Sequence, residues 1–330
     1  MIKNKKKLLW ITWEVQRRNR TLSSALSAEL AEIEVNMHRI FRYPISIYRT
    51  ISVIARYKPD VIIVQNPSII LALLGVFLNT FSRLRLAIDA HNAGLFPTED
   101  EKSILNNISR YIIRNTPLTI VTNDVLARYV NSLGGYPAVL PDPIPEFEYE
   151  DINRDKRKFN VLFICSWASD EPYGEVIKAG QLLLDADCDI YITGKSGGKE
   201  SDFAPLPSNV ILTGYLSESS FVSRIYKSDL IIDLTTRDDC LVCGAYEGVA
   251  AEKPLLLSGT PALRKYFSKG ALYTDNTASD IAEKVIAAKE DVITLQKDVK
   301  HLKNELSENW KKDLSKLEEQ LDTLVQETAR

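Results

Sequence analysis

The chain has 330 residues, 45% of them hydrophobic and 26% charged, with a formal net charge of -3. That length exceeds one ordinary core and suits two domains, and the composition excludes a disordered, fibrous or membrane-embedded chain. The small net charge hides an asymmetry of roughly +8 over residues 1–140 against roughly -11 over the rest.

The basic half holds Lys3, Lys5, Lys6 and Lys7, then Arg17, Arg18 and Arg20, then Arg39, Arg42, Arg49 and Arg56. Such a surface suits a phosphate-bearing substrate, an anionic membrane surface or plain solvent. No nucleic-acid-reading module accompanies it, so no nucleic-acid partner is expected. Four cysteines and no signal-peptide pattern predict a reducing, cytoplasmic setting without disulfides. Cys240 and Cys243 form a lone CxxC with no second pair of ligands at metal spacing, so no metal is expected.

In chain order, KKLLWITW reads as a strand, and TLSSALSAELAEI as a helix opened by Thr21. PDVIIVQNP (Pro59 to Pro67) is a buried strand whose Asn66 and Pro67 read as a turn. IILALLGVFLNTF (Ile69 to Phe81) is an apolar helix too short to span a bilayer, and buried or interfacial. RLRLAIDAHNAG (Arg83 to Gly94) is a strand ending in a polar loop. A helix over Ile104 to Arg114, a strand in TPLTIVTND and a helix closed by Gly134 and Gly135 complete the first alternation. Continuous apolar strands alternating with helices imply a parallel sheet covered on both faces.

PDPIPEFEYEDINRDKRK, rich in proline and charge, marks a boundary, and the alternation then restarts with FNVLFICS, CDIYITG, NVILTGY, SDLIIDLTT and PLLLSG as strands and a late helix over Ala278 to Lys289. From Asp291 onward the chain is helical and charged, with Leu314, Leu317, Leu321 and Leu324 spaced as a stripe. The expected organisation is a Rossmann-like domain over 1–145, a linker over 146–158, a second Rossmann-like domain over 159–300 and a final helix over 301–330.

Two Rossmann-like halves place ligands at the carboxyl ends of their strands, in the cleft that they face. No G-x-G-x-x-G follows any strand and there is no P-loop, which argues against a dinucleotide or P-loop enzyme. The stretch RDDCLVCGAYEGVAAEKP, Arg237 to Pro254, is more specific. A helix beginning at Gly244 would put Glu247 in its first turn, and its Gly and Ala residues would let a ligand approach closely. Free N–H groups from Cys240 through Leu241 and Val242 to Gly244 would meet an anion. One acid suits sugar hydroxyls and the other ribose hydroxyls.

These residues resemble the GT-B glycosyltransferases, in particular the large retaining family with two acids separated by seven residues, the spacing of Asp239 and Glu247. EGVAAEKPLLLSG is similar to that family's E-A-x-A-x-G-x-P-V segment, with Glu252 in place of the usual Gly. ITWEVQRRNRTLSSAL, IDAHNAG and VLPDPIP resemble a bacterial branch distantly similar to the beta-mannosyltransferase that extends lipid-linked chitobiose. The resemblance covers nearly the whole chain. It implies an acceptor-binding first domain and a nucleotide-sugar-binding second domain, with Asp239 on the donor hexose, Glu247 on the ribose and Tyr215 on the nucleobase, and a final helix anchored by Trp310 that packs back on the first domain. The family also follows the first strand of its second domain with an Arg and a Lys for the diphosphate. CSWASDEPYGEVIKAG has no base before Lys178, which leaves Lys195 or Arg237 as substitutes.

On the acceptor side, His91, with Asn92 beside it, follows a strand and reads as a base or a structural loop histidine. Glu14 is a rival base, or a cap or partner of Arg17 or Arg18; those arginines would hold an acceptor phosphate or stay solvated. His38 and His301 fall in helical contexts and read as structural. The leading expectation is a cytoplasmic enzyme, peripheral on the inner membrane face through its basic half and Ile69–Phe81. It would move a hexose from a nucleotide sugar to a lipid-linked or polysaccharide acceptor, without cofactor or metal. A sugar-nucleotide epimerase and a non-catalytic sugar-nucleotide-binding relative or partner subunit are the alternatives.

Overall fold

The computed structural model describes residues 6–82, 84–98, 102–148 and 158–326; Lys3, Lys5, Arg83 and residues 149–157 of the expected linker lie outside them. The chain divides into two compact units, Met1–Asp142 with Trp310–Arg330, and Pro143–Asn309.

The first unit is built on β1 (Leu8–Thr12), β2 (Glu29–Glu32), β3 (Val61–Asn66), β4 (Arg85–Ala90), β5 (Leu118–Val121) and β6 (Pro137–Val139), a parallel sheet in the order β2-β1-β3-β4-β5-β6. Alternate residues of the apolar strands serve opposite faces. Leu9, Ile11, Ile62 and Val64 meet helices on one side, and Leu8, Trp10, Val61 and Ile63 meet a second layer on the other. The connecting helices are α1 (Arg17–Ala25), α2 (Arg39–Tyr57), α3 (Ile69–Phe81), α4 (Asn92–Leu95), α5 (Ile104–Arg114) and α6 (Asp124–Ser132).

Three local expectations are corrected here. α1 begins at Arg17, so Thr21 lies inside it and its hydroxyl donates to the Arg17 carbonyl at 3.0 Å instead of capping. Ser27, at φ 52°, turns the chain so that Glu29–Glu32, written in good helix formers, becomes the edge strand β2 paired with β1. There tertiary pairing overrides propensity. Finally, α2 runs for 19 residues where only the context of His38 is expected to be helical, and His38 is its N-cap rather than an interior residue. The apolar run Ile69–Phe81 is a core helix: Leu71, Ala72, Gly75 and Val76 are buried, and a Cβ on Gly75 would come within 2.9 Å of Leu86. Among the described residues, no helix is long and apolar enough to cross a membrane.

The second unit repeats the plan with β7 (Phe159–Phe163), β8 (Cys188–Thr193), β9 (Val210–Gly214), β10 (Leu230–Asp233), β11 (Leu255–Ser258) and β12 (Ala271–Thr274), all parallel in the order β12-β11-β10-β7-β8-β9. Its helices are α7 (Tyr173–Leu182), α8 (Glu218–Lys227), α9 (Cys243–Ala250), α10 (Pro261–Tyr266) and α11 (Ala278–Glu290). In both sheets the strand order reverses once, between β1 and β3 in the first and between β7 and β10 in the second. Such reversals open a crevice at the carboxyl ends of the strands.

The last element, α12 (Val292–Gln326), runs through both units. Its Leu295, Val299, Leu302 and Leu306 are buried in the second unit. Leu317, Leu321 and Leu324, with Leu314 beside them, close the Trp10 face of the first sheet. Trp310 donates from Nε1 to the Pro141 carbonyl at 3.0 Å.

Candidate functional site

In the second unit the reversal point lies between the loop after β7 and the loop after β10. The first loop, Ile164 to Pro172, folds around its own carboxylate. Glu171 accepts hydrogen bonds from the backbone N–H of Ser166 (2.9 Å) and Ala168 (2.8 Å), and from the Ser166 hydroxyl (3.0 Å). Trp167, left-handed at φ 64° and buried, donates from Nε1 to the Thr193 carbonyl at 2.9 Å. Lys199 Nζ donates to the Trp167 carbonyl at 2.5 Å. Gly194 is fixed by this packing, since it adopts φ 85° and a Cβ there would lie 2.2 Å from the Cys165 carbonyl. A cradle of amides of the kind that holds anions is therefore filled by a side chain of the same loop.

The loop after β10 leads into α9. Asp233, the last residue of β10, is buried and accepts the Gly244 N–H at 2.7 Å. Burial raises its pKa well above the ordinary value, and the nearby carboxylates of Glu171, Glu247 and Asp170 add to this against the Gly244 N–H. Two expectations about α9 are corrected. The helix starts at Cys243, so Glu247 falls in its second turn, half-buried. The Gly244 amide is already taken by Asp233, which leaves Cys240, Leu241 and Val242 as the stretch entering the helix. The small residues serve packing more than ligand approach: a Cβ on Gly244 would sit 2.6 Å from Asp233 Oδ2, and one on Gly248 2.4 Å from Leu255. Glu252, where the resembling family has Gly, takes the left-handed φ of 55° that favours Gly. Lys303 Nζ lies 3.5 Å from its carboxylate.

The remaining donor-side residues are distributed along this strand edge. Asp239 lies half-buried in the turn before α9, and Arg237 Nε is 3.3 Å from Asp170 Oδ2. Lys195, just past β8, places Nζ 5.7 Å from the ring centroid of the exposed Tyr215, just past β9. Lys178 is a solvated partner of Glu175 at 2.7 Å on α7. Burial first, then the Asp239 and Asp233 carboxylates, pushes the Cys240 thiol up to about 12. Glu171, Asp233, Trp167 and Lys199 carried no sequence signal, because their roles come from contacts across loops.

In the first unit, the edge at β1, β3 and β4 carries a polar network. Trp10 Nε1 donates to Asn19 Oδ1 at 3.0 Å, Asn19 Nδ2 to Thr12 Oγ1 at 3.1 Å, and Thr12 Oγ1 to Gln65 Oε1 at 2.5 Å. Arg18, expected to hold an acceptor phosphate, is a buried structural residue instead. It donates to Asp89 from Nε (3.0 Å) and Nη2 (2.8 Å), to Asp142 from Nη1 (2.8 Å) and to the Leu140 carbonyl (2.9 Å). Burial alone would raise the Asp89 pKa, but Arg18 and then His91 hold the carboxyl well below the usual range. His91 Nε2 stands 3.3 Å from Asp89 Oδ2, so the histidine has a carboxylate partner two residues back on β4. Asn92 follows it as the first residue of α4. Among the described residues, Gln65 Nε2 and Asn66 Oδ1 are buried without a hydrogen-bond partner, and His91 Nε2 meets Asp89 as a close charge contact outside hydrogen-bond geometry. Glu14 is exposed and accepts from Gln16 Nε2 at 3.1 Å, and Arg17 is exposed at the start of α1.

The sequence matches no protein-family model and no curated protein. Solved structures similar to the chain include a sucrose-phosphate synthase from Thermosynechococcus elongatus, 13% identical with a TM-score of 0.77, the match covering 97% of this chain and 99% of that one. The Anabaena protein HepE, solved with UDP-glucose, is 12% identical over 94% of this chain and 100% of that one, with a TM-score of 0.67. A glycosyltransferase from Rickettsia africae is 11% identical over 99% of both chains, with a TM-score of 0.68. At these identities the likeness is one of fold, and the fold of the chain is GT-B.

Proposed function

We propose that the chain is a glycosyltransferase that moves a hexose from a nucleoside diphosphate sugar to a lipid-linked or polysaccharide acceptor in the synthesis of a cell-surface glycan. The observation that carries this reading is the composition of one strand edge in the second unit. There the exposed Tyr215 ring with Lys195 beside it, the cations Lys199 and Arg237, and the acids Asp239 and Glu247 all follow carboxyl ends of the parallel strands. These groups match the parts of a sugar nucleotide: a ring for the base, cations for the diphosphate and carboxylates for ribose and hexose hydroxyls. UDP and UDP-glucose are bound by HepE, which shares the fold.

In the proposed reaction, the bond between the anomeric carbon and the diphosphate oxygen breaks as the acceptor oxygen bonds to that carbon. Charge develops on the departing diphosphate, and Lys195, Lys199, Arg237 and the chain entering α9 at Cys240, Leu241 and Val242 stabilise it. With that positive charge supplied by the protein, the reading requires no metal. Glu247 holds the ribose and Asp239 the hexose. In the first unit His91, oriented by Asp89, accepts the proton of the acceptor hydroxyl, and Glu14 is the alternative base. Arg17 and Asn92 bind the acceptor.

The test is thermal melting with UDP, GDP, dTDP and their sugars. At a ligand concentration one hundred times Kd the stabilisation is about 2.7 kcal/mol, worth roughly 5–10 °C for a unit of this size. One nucleotide raising Tm in the wild type but not in Glu247→Ala supports the reading; no nucleotide doing so overturns it. One observation favours a second reading, a sugar-nucleotide-binding relative without turnover: Glu171 fills the amide cradle after β7. A melting shift with no transfer or hydrolysis of the matching sugar nucleotide would select it.

A further inference from the structure

The helix α2 is oriented unusually for a surface helix. An ordinary one turns its apolar stripe to the core and its polar face to water. Here the two fully buried residues are Ser46 and Thr50, and Trp13 Nε1 donates to the Thr50 hydroxyl at 3.0 Å. Ile45, Val53 and Ile54 rest against the core only in part. The outward face carries Ile40 (70% exposed), Phe41 (59%), Tyr48 (73%) and Ile51 (45%), with the exposed Pro44 among them. At 100° per residue these lie on one side of the helix, and Arg42, Arg49 and Arg56, seven residues apart and all exposed, form a row along that stripe. From Val35 to Pro59 the sequence contains no Asp or Glu. Arg42 lies over Tyr43 with its Cζ 4.9 Å from the ring centroid, and Arg49 reaches the Glu34 carbonyl at 3.4 Å, so each guanidinium is held near the surface of the protein.

We propose that this outward face of α2 is a docking surface for an anionic lipid bilayer, with Phe41, Tyr48, Ile40 and Ile51 entering the interfacial region and Arg42, Arg49 and Arg56 contacting lipid phosphates. An exposed aromatic and aliphatic stripe flanked by arginines is the composition of an interfacial helix. The face is about 28 Å long, from 19 residues at 1.5 Å each, long enough to lie along a bilayer surface. A second copy of the chain is a poorer occupant, because two such faces packed together would oppose their arginine rows with no carboxylate of α2 between them. The inference relocates membrane attachment from Ile69–Phe81 to α2 and rests on the lipid-linked acceptor reading for its purpose, although its test needs neither donor nor acceptor.

The experiment is co-sedimentation of the full chain with vesicles of phosphatidylcholine alone and of phosphatidylcholine with one third phosphatidylglycerol. The wild type is expected to bind the anionic vesicles and to leave them at high salt. Arg42→Gln/Arg49→Gln/Arg56→Gln is expected to lose about a hundredfold in partitioning, near fivefold for each charge, and Phe41→Ser/Tyr48→Ser at least about tenfold. Both variants are outward-facing and should keep the wild-type melting temperature and nucleotide-induced shift, which separates failure of this proposal from failure of the enzymatic one. Binding to neither vesicle, equal binding to both, or undiminished binding by both variants overturns the proposal. So does a concentration-dependent dimer that Phe41→Ser/Tyr48→Ser dissolves, which would give the face to a second copy.

Discussion

Arg18→Met tests whether the buried ion network at the edge of the first sheet is structural. Methionine keeps most of the volume of arginine but removes every donor that reaches Asp89, whose side chain is only 1% exposed. Asp89 would retain only His91, 3.3 Å away. Asp142, one third exposed, can turn to water. Removing one partner of a buried pair costs about 3–5 kcal/mol, which for a unit of this size lowers Tm by roughly 6–20 °C. The pH dependence carries a sign of its own. In the wild type the Asp89 pKa lies below its unfolded value, about 3.9, so its contribution is fully present above that pH and is lost as pH falls through the folded value. In Arg18→Met the burial of Asp89 is no longer offset and its pKa rises above the unfolded value. The penalty should then shrink as pH falls from 8 to 5, and Arg18→Met/Asp89→Asn should recover much of it. Urea unfolding at pH 5 and pH 8 measures both; a cost under about 1 kcal/mol, or one equal at the two pH values, refutes the argument.

Three further outcomes are expected. Gly248→Ala forces a Cβ to within 2.4 Å of Leu255 between α9 and β11, and should cost about 1–3 kcal/mol in denaturant unfolding. Glu171→Ala removes a carboxylate from the amide cradle of Ser166 and Ala168 and should tighten UDP binding about tenfold by calorimetry, near 1.4 kcal/mol. A weaker or unchanged affinity would place the diphosphate elsewhere. With its thiol pushed up to about 12 by burial, Cys240 should react with iodoacetamide far more slowly than the exposed Cys243; equal labelling rates by peptide mass mapping would contradict its placement.

The central strands of both sheets are legible because they are apolar runs such as VIIV and LII, buried on both faces and therefore free of alternation, whereas the short edge strands β6 and β12 carry no such run and are not expected. The tail was legible because Leu317, Leu321 and Leu324 keep a helical spacing and one buried face. α2 is weakly marked because Ser46 and Thr50 are its buried residues while Ile40, Phe41, Tyr48 and Ile51 face outward, so periodicity and burial coincide only in part. Glu29–Glu32 misled because helix-forming side chains occupy a strand fixed by pairing with β1. Within the proposed site, Asp239 and Glu247 stand out in the sequence by their spacing and the family resemblance, Tyr215 by the resemblance and Lys195 as a substitute cation. The Asp89 partner of His91 and the Glu171 plug do not: a carboxylate inside an apolar strand looks like strand, and one before a helix looks like a cap. Arg18 was read as surface because its two acids lie 71 and 124 residues away.

The bond from Trp310 to the Pro141 carbonyl joins residues 169 positions apart, and Leu317, Leu321 and Leu324 cover Leu8, Trp10 and Leu22 from the far end of α12. On the ribosome the first sheet therefore emerges early but lacks part of its cover until the whole second unit has been made. At 5–20 residues per second that wait lasts roughly ten to thirty seconds. During it the nascent first unit presents an apolar sheet face that a chaperone can hold, and that face closes only once α12 has been made.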